Sequence, residues 1–172
     1  TDGGVQWMTA GKGVVHSEMP EQKEGLVRGF QLWLNLPRSK KMIDPYYHDI
    51  QAKEIPVVNI DGGIVKVISG EFEGVTGPGK PHTGVEYLDV QKKEEGIFSL
   101  PIQEFWNSFI YVYEGAIRSG LLMDKGSLGI LDANDTFGCE VVEENTKFLI
   151  VSGEPIGEPV ARGGPFVMNT RA

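Results

Sequence analysis

The sequence has one cysteine, three histidines, a deficit of basic residues and no long apolar run, and each scarcity excludes something. Cys139 alone can form neither an internal disulfide nor a multi-thiolate zinc site, which fits a reducing compartment, and it reads as a small buried hydrophobe. No stretch approaches the ~18 consecutive apolar residues that a bilayer-crossing helix needs, so no membrane partner is expected. Acidic residues outnumber basic ones 24 to 16, and the formal charge of −8 repels a phosphate backbone. Direct nucleic-acid binding is therefore excluded. No basic cluster argues for nuclear import, so the expected location is cytoplasmic, with the nucleus as the alternative for a eukaryotic source. No repeat of fixed period, low-complexity segment, nucleophile elbow or phosphate-cradling glycine loop is present, which removes solenoid, hydrolase and nucleotide-binding readings. Thr1 is not an initiator and no signal segment follows it; both ends read as cuts in a longer chain.

Glycine and proline are plentiful, 23 and 10. They punctuate short apolar stretches about every ten residues, the rhythm of an all-β barrel or sandwich. Phe30-Gln31-Leu32-Trp33-Leu34-Asn35-Leu36 alternates cleanly and is the clearest predicted strand. Further strands are expected at Ile64–Ile68, Val85–Val90, Ser108–Tyr113, Ser127–Leu131 and Lys147–Ser152, in two antiparallel layers. A short helix is expected at Tyr46–Lys53 after Pro45. The polar stretch Arg38–Lys53 ends at Ile55-Pro56, which places a domain boundary near residue 57 and gives domains 1–57 and 58–172.

Few residues can carry chemistry. In Gly13-Val14-Val15-His16-Ser17-Glu18, His16 and Glu18 stand at i and i+2. A strand would point both to one face, roughly 6.5–7 Å apart, within reach of one metal ion. Imidazole nitrogen plus carboxylate oxygen suits Fe(II), Mn(II), Ni(II) or Zn(II). The same spacing also describes an exposed His and Glu that merely alternate. A facial site needs a further strong ligand, and only His48, in the polar connector, and His82, in a Gly- and Pro-rich loop, remain. Beyond His82 there is no histidine, so the C-terminal half holds no histidine-based metal site. Trp7, Trp33, Trp106, Phe30, Phe105 and Phe109 could line an aromatic ligand pocket, but alternating aromatics in a barrel read as core packing.

The run Gly3-Gly4-Val5-Gln6-Trp7-Met8-Thr9-Ala10-Gly11-Lys12-Gly13-Val14-Val15-His16-Ser17-Glu18-Met19 resembles the pirin signature, with Gly-x-x-His at 13 to 16 as the core of its second cupin motif. Gly29 to Leu36, Lys41 to Tyr47, Ile68 to Glu71, Tyr87 to Val90, Gly153 to Pro155 and Gly164 to Thr170 extend the resemblance over essentially the whole chain. The resemblance implies an all-β double-stranded β-helix, a bicupin whose N-terminal barrel is incomplete here. It implies that His16 is the third histidine and Glu18 the carboxylate of an iron site, whose other two histidines come from an upstream His-Pro-His segment absent from this sequence. The implied cofactor is Fe(II), with Zn, Mn or Ni as alternatives. Two activities follow from the resemblance. One is a quercetin 2,3-dioxygenase-type oxidoreductase on a flavonol-like, small aromatic substrate, with Glu18 able to act as catalytic base. The other is an iron-dependent regulator that binds a protein partner, a transcription factor or a metabolic enzyme. Missing barrel strands would expose apolar faces, so this chain alone is expected to be poorly stable or associated.

Overall fold

In Thr136-Phe137-Gly138-Cys139-Glu140-Val141 every second side chain is buried, the alternation of a strand with one face on a core. The computed structural model describes residues 3–19, 24–132 and 136–171, and its regular structure there is all strand apart from two 3-10 turns. In chain order the strands are β1 (Val5–Thr9), β2 (Tyr46–Ile50), β3 (Val57–Ile60), β4 (Gly63–Ser69), β5 (Glu71–Phe72), β6 (Val75–Thr76), β7 (Val85–Lys92), β8 (Gly96–Pro101), β9 (Asn107–Glu114), β10 (Ala116–Ser119), β11 (Leu121–Asp124), β12 (Leu128–Leu131), β13 (Thr136–Val141), β14 (Thr146–Gly153), β15 (Ala161–Gly163) and β16 (Phe166–Met168). The chain divides into two compact units: the part up to Trp7 with His48–Pro155, and Met8–Tyr47 with the segment from Ile156 onward.

The first unit holds a six-stranded sheet, order β12-β9-β14-β7-β4-β3, and a four-stranded sheet, order β11-β10-β13-β8, with every pairing antiparallel. Val65, Val67, Leu88, Val90, Ile110, Val112, Phe148 and Ile150 from the larger sheet meet Phe98, Leu100, Ile117, Phe137, Cys139 and Val141 from the smaller. The Phe98 and Phe148 rings cross edge to face at 5.6 Å, a geometry that adds about 0.5–1.5 kcal/mol beyond the area the rings bury. This is the expected double-stranded β-helix. Two turns show how it closes: β5 and β6 are joined through Glu73 and Gly74, both at positive φ (48° and 77°), the backbone that the tightest hairpins require.

The outer face of the larger sheet carries a buried polar cluster. Asp89 accepts hydrogen bonds from Tyr113 Oη and Gln91 Nε2, each at 2.7 Å, and the Lys66 ammonium lies 3.9 Å away. Burial, then the Asp89 charge, pushes the Tyr87 phenol up to about 12, and the same two causes raise Tyr113 further.

Three expectations are corrected. The segment Phe30–Leu36 carries no strand; alternation specifies which face a strand would bury, not whether a partner ladder exists, and the described residues give it no paired strand. Tyr46–Lys53 is not a helix: Tyr46–Ile50 is β2, paired with β1, because aromatic and β-branched side chains suit a pleated surface. Only Ala52–Glu54 turns, as one 3-10 turn under a Gln51/Glu54 capping box in which Gln51 N donates to Glu54 Oε2 at 2.9 Å. The six aromatics are not core: Phe30, Trp33 and Phe105 are exposed, while Trp7, Trp106 and Phe109 are half-buried. Phe109 sits on the outer side of β9, where Ser108, Ile110 and Val112 take the inward positions.

Candidate metal centre

Within the second unit a tight reversal precedes the candidate ligands. Gly11 has φ +52°, and a Cβ there would collide with the Ile43 carbonyl oxygen, so only glycine fits. Lys12 N donates to that carbonyl at 2.9 Å, Gly13 N donates to Ala10 O at 2.9 Å, and the Lys12 ammonium pairs with Asp44 at 2.5 Å. These contacts pin the turn from which residues 13–19 run on without strand pairing. The strand that spacing suggested for His16 and Glu18 is therefore not formed, yet the two side chains do meet.

His16 Nδ1 lies 3.9 Å from Glu18 Oε1, and the two side chains keep 44% and 58% of their surface exposed. Adjacent donors bound at ~2.1 Å to one ion lie about 3.0–3.4 Å apart, so at 3.9 Å the pair stands slightly wider and would close by about 0.5–1 Å onto a single cation. Its exposure leaves other positions open. Glu18 is also held from a second side: Gln31 Nε2 donates to both of its oxygens, at 3.4 and 3.2 Å. Such an outer hydrogen bond fixes the orientation of a ligating carboxylate. Sequence reasoning passed over Gln31, though it alternates with the apolar face of its segment and is the kind of amide that holds a carboxylate.

Among the described residues no group of three or more His, Cys, Asp or Glu could hold a metal ion. His48 lies half-buried on β2, and His82 is exposed in the connection before β7. The donor set present here is thus one imidazole and one carboxylate: enough to contribute to a centre, not to complete one.

In the same unit the Arg162 guanidinium stands over the Trp33 ring at 5.7 Å, which gives that exposed aromatic a cationic cover. Cys139 plays no part in the site; it is buried between the two sheets of the first unit.

Comparison with known proteins bears on the family. The pirin C-terminal cupin domain model matches residues 87–172, and the pirin model matches residues 1–34. A pirin-like protein of Caulobacter vibrioides is 47% identical over 98% of this chain and 62% of its own length. Pirin of Rattus norvegicus is 40% identical over 98% of this chain and 60% of its own length. The structure of a quercetin 2,3-dioxygenase from Acinetobacter baumannii superposes with a TM-score of 0.82 at 28% identity, covering 98% of this chain and 62% of that one. The chain spans about three fifths of the length of the curated relatives it matches. The sequence signature, the paired sheets and these matches together show that the chain belongs to the pirin family.

Proposed function

We propose that His16 and Glu18 are two ligands of a single iron(II) ion, and that the protein is a quercetin 2,3-dioxygenase-type oxidoreductase acting on a flavonol-like substrate. The observation that carries this reading is the convergence of His16 and Glu18 at 3.9 Å, in a chain whose fold matches a quercetin 2,3-dioxygenase at a TM-score of 0.82. The division into a remainder of an N-terminal cupin at 1–57 and a C-terminal cupin at 58–172 belongs to the same proposal; the separate family matches at 1–34 and 87–172 support it. The remaining ligands would come from residues outside this sequence.

When bound, the iron supplies a Lewis-acidic centre with open positions at which the adjacent oxygens of a flavonol and dioxygen can be brought together. The chain's own residues do the rest. His16 presents an imidazole nitrogen. Glu18 presents one oxygen beside His16, and its other oxygen, which accepts one hydrogen bond from Gln31, keeps a lone pair for the proton of the flavonol hydroxyl. The Gln31 amide, bonded to both oxygens, keeps the carboxylate aimed while that proton is held. The test is aerobic turnover by the full-length, iron-loaded protein, following loss of flavonol absorbance together with dioxygen uptake. Glu18→Gln should abolish both. A fully loaded protein that consumes no dioxygen with any flavonol would sink the enzymatic reading and favour an iron-dependent surface that binds a protein partner.

A further inference from the structure

Lys41 is a charged side chain with 5% of its surface exposed, and its two hydrogen-bond acceptors are both neutral: Asn35 Oδ1 at 2.7 Å and Val167 O at 2.9 Å. Among the described residues no carboxylate stands within 4.0 Å of its ammonium. Glu158 acts on it only from farther off, because its Oε2 already accepts from Arg38 N at 2.7 Å and Asn169 Nδ2 at 3.0 Å. The Arg38 guanidinium likewise has no acceptor among the described residues. A buried ammonium with no carboxylate in direct contact is unfavourable, and desolvation draws the Lys41 pKa down against the more distant Glu158 charge, which raises it.

Both cations border one cavity of about 260 Å³, lined by Arg38, Lys41, Met42, Met168, Asn169 and Thr170. That volume lies just below the ~300 Å³ at which drug-sized ligand sites begin, so it suits a small guest. Arg38 and Lys41 both line the cavity, and a guanidinium with an ammonium recognises an oxyanion, while the thioethers of Met42 and Met168 suit a short apolar body. We propose that this cavity binds a small organic anion with a single carboxylate or phosphate head, whose charge is met by Lys41 and Arg38. The site shares no residue with the His16/Glu18 pair and does not depend on the iron reading.

The experiment is calorimetric titration of the purified protein with sodium benzoate and, separately, with inorganic phosphate, at constant ionic strength. The expected result is saturable binding of about one equivalent of at least one of them, weakened about tenfold or more in Arg38→Gln. Arg38 is an exposed residue whose side chain makes no hydrogen bond among the described residues, so that variant should melt as the parent does without ligand; Lys41→Met should abolish binding but also tests folding. Benzoate alone binding identifies a carboxylate guest, and phosphate alone identifies a phosphate guest. If neither anion saturates, or Arg38→Gln binds as the parent does, the proposal is overturned.

Discussion

Raising the pH should expose how deeply Cys139 is committed to the core. Burial pushes its thiol up from 9.0 to about 12, against the pull of the Lys92 ammonium, which lowers it. At pH 8 a thiol with pKa 9.0 is about one-tenth thiolate, whereas one near 12 is about one ten-thousandth, so ionisation alone slows alkylation roughly 1000-fold in the folded chain. The sign for stability follows. A thiol whose folded pKa is raised stays protonated in the native state while the unfolded chain ionises. Its contribution is therefore complete below pH 9.0 and is lost as pH climbs towards about 12, at about 1.4 kcal/mol per unit. Denaturant melts of the protein and of Cys139→Ala at pH 8 and pH 10 isolate this term from the tyrosines, which are common to both. The parent should lose more than the variant, on the order of 1 kcal/mol. Alkylation of the native protein at pH 8 at the speed of a free thiol, or identical pH slopes for the two proteins, would refute the burial argument.

Other consequences are as direct. Phe148→Ala removes a fully buried ring and its edge-to-face partner contact with Phe98, so chemical denaturation should show a loss of about 3–5 kcal/mol. Gln31→Leu should leave the fold intact, judged by an unchanged melting temperature, while weakening metal retention about 10–100-fold in a chelator competition; Gln31→Glu, which sets like charges face to face, should weaken it further. Val15, Met19, Leu26 and Val27 are exposed apolar residues in one stretch of chain, so light scattering on these 172 residues alone should report self-association that rises with concentration.

Of the first unit, the six-stranded sheet was the readable part, because its strands carry buried apolar runs. Gly63–Ser69, Val85–Lys92, Asn107–Glu114 and Thr146–Gly153 carry dense apolar runs between turn signals, and each was expected within a residue or two. The whole four-stranded sheet, β8, β10, β11 and β13, went unseen, as did β15: these strands are short or alternate buried residues with polar and glycine positions, so none carries a comparable apolar run. Phe30–Leu36 has the alternation without the ladder, since pattern reports a face and hydrogen-bond partners decide a strand. At the site, His16 and Glu18 were legible as a pair from their i, i+2 spacing, and the structure brings them together by a different route, a segment outside any strand after the Gly11 turn. Gln31 and the Lys41 cavity depend on contacts between residues 13 and 126 positions apart, which local spacing does not encode.

Elemental analysis of iron in the full-length protein, beside its His16→Ala and Glu18→Gln variants and beside these 172 residues alone, tests the metal assignment at its root. About one iron per full-length chain, lost in both variants and absent from the shorter chain, is the predicted result. Retention of iron after both substitutions would show that His16 and Glu18 are a solvated pair and that the metal, and the oxidation chemistry built on it, reside elsewhere.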